Sequence, residues 1–177
     1  MLGTKENPIQ ILILGDSGVG KSCLIHRIIH KNFDYKMTST QLLTKLNHKF
    51  YIDNLEIFVT FIDFPGWEDD PKYIKSYIKG SHIVLFLSEF GHKKSFENLK
   101  EKWYYYATEV LDNNFVGCVV TTKIDLLISE YPETFDASRF AESQGYDFVS
   151  ISTEKEIKTK GLFEGLIVKL LRKKSGQ

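Results

Sequence analysis

Short apolar runs alternate with longer amphipathic stretches along nearly the whole chain. Ile9 to Leu14 (IQILIL), Glu56 to Asp63 (EIFVTFID), His82 to Leu87 (HIVLFL), Phe115 to Val120 (FVGCVV) and Phe148 to Ile151 are rich in Ile, Val and Phe. Most are bounded by Gly, Asp or Asn, and this pattern predicts strands. Between them, Lys21 to His30, Pro71 to Lys79, Lys94 to Leu111, Asp136 to Gln144 and Gly161 to Lys174 have the length and the apolar spacing of helices. The last is the clearest, with Leu162, Phe163, Leu166, Ile167, Leu170 and Leu171 on one face. Strands separated by helices predict an α/β fold, a mostly parallel sheet of about six strands with about five helices on both faces. Lys45 to Tyr51, followed by Asp53-Asn54 as a turn, predicts a hairpin with the next strand and so one antiparallel edge strand. Ligands of such sheets bind beyond the carboxyl ends of the strands. Chemistry is therefore expected just after Leu14, Ile62, Leu87 and Val120.

Composition narrows the possible ligands. The 177 residues carry 23 Lys plus Arg against 23 Asp plus Glu, a formal net charge of zero, which argues against a general nucleic-acid binder. The length suggests a single domain over 1–177, with 170–177 as a short basic C-terminal tail. Cys23 and Cys118 are far apart and fit neither a metal spacing nor a disulfide framework, so a reduced, cytoplasmic setting is expected. No window has the run of apolar residues that a membrane helix needs, and no C-terminal cysteine is present to carry a prenyl group. The expectation is a chain with no self-encoded membrane anchor, whose peripheral recruitment is left to partners or to a missing segment.

Immediately after the first run, Gly15 to Ser22 reads GDSGVGKS and fits G-x-x-x-x-G-K-[ST]. Its glycines let successive backbone N–H groups point at one anion, and the following helix adds its positive end. Lys21 is expected to reach the terminal phosphates of a nucleoside triphosphate, and the Ser22 hydroxyl to ligate Mg²⁺. The motif leaves the base and the reaction open, because kinases, ATPases and GTPases share it.

Two further elements narrow both. Asp63-Phe64-Pro65-Gly66 is a D-x-x-G sequence at the end of a strand, followed by Trp67 and Glu68, and Thr122-Lys123-Ile124-Asp125 is an [NT]-K-x-D sequence after another strand. With these the chain resembles the small GTPases of the Ras superfamily, and the Rab branch most. Ser76-Tyr77-Ile78-Lys79-Gly80-Ser81, the stretch from Ser95-Phe96-Glu97-Asn98-Leu99 to Trp103, and Ala141 to Gly145 are similar to Rab sequences as well.

The resemblance implies a single P-loop G domain that binds GTP or GDP with Mg²⁺. Asp16, Ser17, Gly18, Val19, Gly20, Lys21, Ser22 and Cys23 would contact the phosphates, and Phe33 would pack against the base. Asp125 would accept from the N1–H and 2-amino group of guanine, donors that adenine lacks, with Lys123 along the purine face. Thr122 stands where asparagine is usual, and Ser152, Thr153 and Glu154 stand where Rab proteins carry S-A-K. Ser22, Thr40 and, through a water, Asp63 would hold the metal. Thr40 is preferred to Thr38 because it lies seven residues after Phe33. Lys21, Thr40 and Gly66 would act in hydrolysis, with Gly66 sensing the γ-phosphate.

The departures set further expectations. Trp67 replaces the family glutamine that orients the attacking water, and an indole has no acceptor with which to polarise it, so intrinsic hydrolysis is expected to be slow. The alternative is a non-hydrolysing pseudo-GTPase that serves as a nucleotide-dependent binding module. Thr122 is expected to reach fewer partners than asparagine, and Glu154 to bring negative charge towards the base edge. Gln41-Leu42-Leu43-Thr44-Lys45 departs from the Rab effector stretch, so the effector, exchange-factor and activator proteins expected at the switch regions differ from those of ordinary Rabs. The family role would be vesicle traffic or related signalling. His26 and His30 lack a third ligand nearby in sequence, and Trp103-Tyr104-Tyr105-Tyr106 reads as a helix with one core face.

Overall fold

The computed structural model describes residues 1–36, 42–112, 114–126, 133–159 and 161–176, with 133–135 described by backbone only. Its six strands are β1 (Ile9–Leu14), β2 (Thr44–Ile52), β3 (Leu55–Asp63), β4 (Ile83–Glu89), β5 (Val116–Thr122) and β6 (Asp147–Ser150), in the sheet order β2-β3-β1-β4-β5-β6. Every pairing is parallel except β2 with β3. That hairpin turns at Asp53 and Asn54, both at positive φ (49° and 64°), as a two-residue turn matched to strand twist requires.

The helices are α1 (Lys21–His30), α2 (Pro71–Ile78), α3 (Lys93–Asn98), α4 (Tyr105–Leu111), α5 (Glu133–Ser143) and α6 (Leu162–Ser175). A π-helical stretch, Leu99–Tyr104, joins α3 to α4 without a break, so the described residues form five helical rods. The single helix expected over Lys94 to Leu111 is thus one rod with a widened middle turn. The helix expected over Gly161 to Lys174 runs as α6 to Ser175 and carries Arg172, Lys173 and Lys174, so residues 170–175 of the expected basic tail are its last turns, with Leu170 buried.

Alternation along the central strand divides the core in two. Ile9, Ile11 and Ile13 face one cluster, with Leu24 and Ile25 of α1 and Phe163, Leu166, Ile167 and Leu170 of α6. Leu12 and Leu14 face the other, with Ile74 and Ile78 of α2, Phe96, Leu99, Trp103 and Ala107 along the α3–α4 rod, and Ala137 and Ala141 of α5. Strands β4 and β5 are buried almost throughout and β2 is largely exposed, as interior parallel and edge antiparallel strands should be. No helix among the described residues is long and apolar enough to cross a membrane.

Candidate functional site

The loops leaving β1, β3, β4, β5 and β6 gather at one end of the sheet. After β1 the chain turns through Gly15, Gly18 and Gly20, all at positive φ (150°, 80° and 97°), and enters α1 at Lys21. Gly20 is the residue before the helix, so this loop presents backbone to whatever lies in front of it.

Lys21 is 5% exposed, and its ammonium donates to the carbonyls of Gly15 (2.9 Å) and Asp16 (2.7 Å). Burial pulls its pKa from 10.5 down to about 8, against the opposing charges of Asp63 and Asp16. Asp63 is itself buried at the end of β3, and Ser22 follows Lys21 on the first turn of α1. The Ser22 hydroxyl and the Asp63 carboxylate are hard oxygen donors suited to Mg²⁺, and the buried Lys21 ammonium is a cation suited to phosphate, so these residues fit a magnesium nucleotide. Thr40 and Thr38 lie outside the described residues.

The Asp63–Gly66 loop rests directly on the phosphate loop. A Cβ on Gly66 would stand 2.3 Å from the Asp16 carbonyl carbon and from the Ser17 nitrogen, so only glycine fits there. Phe64 is completely buried among Tyr73, Tyr77 and Trp103, with ring centroids 6.1–6.2 Å away. Trp67, next along, is 51% exposed. The Glu68 carboxylate accepts from the N–H groups of Asp69 (2.9 Å) and Asp70 (2.8 Å), and Asp70 caps α2 through the Lys72 N–H. One oxygen of the Glu68 carboxylate is thus held by the backbone that follows it.

At the β5 end, the fully buried Thr122 donates its hydroxyl to the Val19 carbonyl of the phosphate loop at 2.7 Å, with the Ser88 carbonyl at 3.2 Å as a second acceptor. The threonine therefore keeps a tie to the phosphate loop. Lys123 has φ 58° and forms an ion pair with Glu89 at 2.8 Å, and Asp125 lies half-buried in a short 3₁₀ turn, Ile124–Leu126. The Ile124 N–H bonds the Ile151 carbonyl (3.3 Å), which joins this loop to the one after β6.

In that second loop Ser152 and Thr153 are buried, and the Ser152 N–H donates to Ile157. Arg27 of α1 donates to the Glu154 carbonyl (2.8 Å), while Tyr35 donates to the Glu154 carboxylate (3.2 Å). Phe33 packs edge-to-face on Tyr35 at 4.9 Å. The negative charge expected near the base edge is thus directed at the Tyr35 hydroxyl. Cys23 is half-buried, and burial raises its thiol pKa.

Several residues of the site were invisible to motif reading. The Asp16 carboxylate is held by the Asn98 amide (2.7 Å) and the Trp103 indole N–H (2.8 Å), and Glu89 holds Lys123. Asn98 and Trp103 are 82 and 87 residues from Asp16, and no spacing rule links them. Elsewhere, His26 and His30 lie 4.4 Å apart ring to ring, and no group of three metal-binding side chains occurs among the described residues.

A glycine phosphate loop after β1, a buried lysine and aspartate behind it, and a T-K-x-D loop after β5 at the same end of the sheet define a P-loop nucleotide-binding protein of the small G-domain type. Residues 10–172 match the Ras family, and the chain belongs to that family of GTP-binding switches.

Proposed function

We propose that the chain is a Rab-like switch that binds magnesium-GTP and GDP and hydrolyses GTP slowly, in vesicle traffic or related signalling. The observation that carries this reading is the convergence of Lys21, Asp63 and the Thr122–Asp125 loop at one end of the sheet, with Thr122 bonded to the phosphate loop itself. Ser22, Thr40 and Asp63 would hold the metal, which when bound neutralises phosphate charge. Lys21 holds a proton and its positive charge beside the phosphates, and the phosphate-loop N–H groups stabilise charge developing on the γ-phosphate oxygens. Asp125 selects guanine. Effector, exchange-factor and activator proteins would meet the loops around Leu42 and Trp67. A partner could bring the chain to a membrane from the cytoplasm.

One observation favours the second reading, a pseudo-GTPase. The half-exposed Trp67 indole has no acceptor for an attacking water, and the Glu68 carboxylate is turned onto two backbone N–H groups through one of its oxygens. Single-turnover hydrolysis of magnesium-GTP separates the two. Slow turnover that rises about tenfold or more, or at least about 1.4 kcal/mol, in Trp67→Gln supports the switch. No turnover in either form supports the binding module, and wild-type turnover at an ordinary small-GTPase rate refutes the role given to Trp67. Purified protein that releases neither GTP nor GDP on denaturation and binds neither afterwards would sink both readings.

A further inference from the structure

Asn98 and Trp103 both hold Asp16, yet they are five residues apart, which on an ordinary 3.6-residue helix would put them about 140° apart around the axis. The π-helical stretch Leu99–Tyr104 removes that offset, since bonding from i to i+5 brings such residues nearly into line. Between them in sequence, Lys102 donates to the Glu68 carbonyl at 2.7 Å and pairs with Asp69, and its ammonium lies 4.4 Å from the Trp103 ring centroid. The widened turn and the residue just before it therefore grip the phosphate loop with two side chains and the loop after β3 with a third. The Asp69 carboxylate is 88% exposed, so that ion pair contributes little, and the hold comes from the Glu68 carbonyl.

We infer that Lys102 is a positioning residue for the Asp63–Glu68 loop: by anchoring the Glu68 carbonyl from the turn that also holds Asp16, it keeps Gly66 seated against the phosphate loop. Phe64, buried against Trp103, fastens the same loop from the other side. The inference rests on the reading of this site as a guanine-nucleotide site. There, a seated Gly66 would offer its N–H to the γ-phosphate, which only the triphosphate carries, so Lys102 would favour the triphosphate and be indifferent to the diphosphate.

The test compares wild type, Lys102→Met and Lys102→Arg. Removing a charge-assisted hydrogen bond that seats the loop should weaken a non-hydrolysable GTP analogue by about five- to tenfold while GDP affinity stays within about twofold, and arginine should restore most of the loss. Equal weakening of both nucleotides would mark a merely structural lysine, and no change would mean that the loop does not depend on it; either overturns the inference. Hydrogen exchange of residues 63–70 in the protein as purified gives a separate readout. Faster exchange in Lys102→Met, with the interior of β4 and β5 unchanged, supports the clamp, and unchanged exchange overturns it. If wild type binds no guanine nucleotide, the functional reading fails while the exchange result still judges the clamp.

Discussion

Lys21 is a cation that the fold holds under protest. Its pKa falls to about 8 from 10.5 because burial removes more solvation than Asp63 and Asp16 return. Between these values the unfolded chain binds more protons than the folded one, so this group's contribution to stability rises with pH across that window. A phosphate acts in the opposite sense, since it stabilises the charged form and draws the pKa back up. Nucleotide binding should therefore take up a proton increasingly as pH goes from about 7 to about 9, and affinity should fall above about pH 8. Calorimetry in two buffers of different ionisation enthalpy measures the uptake directly. Equal heats in both across that range would mean that Lys21 stays charged throughout.

At the scale of elements, the π-helical turn between α3 and α4 sets the geometry of the site. Deleting Glu101, an exposed residue within it, should restore ordinary helical bonding and leave Trp103 four residues after Asn98, about 40° round the axis and on the same face. Both could then still reach Asp16. Nucleotide release should therefore stay within about twofold of wild type, with helix content by circular dichroism unchanged. Release faster by about fivefold, the scale of one hydrogen bond, would show that the extra residue is itself needed to bring both side chains to Asp16.

The same turn marks the limit of what the sequence made legible. Lys94 to Leu111 was recognisable as a helix from its apolar spacing, and GDSGVGKS, D-F-P-G and T-K-I-D were recognisable because each is contiguous. A change from i+4 to i+5 bonding leaves no mark in composition, and the partners of Asp16 become neighbours only when the α3–α4 rod packs on the sheet. Trp67 could be identified as a substitution, but its exposure depends on Phe64 turning inward beside it. The Glu154 carboxylate could be expected near the base loop, whereas its bond to Tyr35 required two loops to meet.

On the scale of the whole molecule, the sheet separates two cores that meet the site at different places. The face under α1 and α6 stabilises the fold: Phe163, 1% exposed, packs against Phe61 and Phe50 with ring centroids 5.0 and 6.4 Å away. Phe163→Ala should cost about 3–5 kcal/mol in urea denaturation, while nucleotide affinity, measured where the variant is still folded, stays within about twofold. A cost below about 1 kcal/mol would mean that this face collapses around the lost ring. The face under α2, the α3–α4 rod and α5 is continuous with the site through Phe64 and Trp103. Changes there should alter binding and stability together.

The chain has two tryptophans, and the fold places them in opposite surroundings: Trp67 is 51% exposed on the loop after β3, and Trp103 is wholly enclosed with its indole N–H on Asp16. Excited together, they emit two separable signals, one that a dissolved quencher reaches and one that it does not. The first reports the loop and the second the floor of the phosphate site, so movement at either place can be followed by light without adding a label.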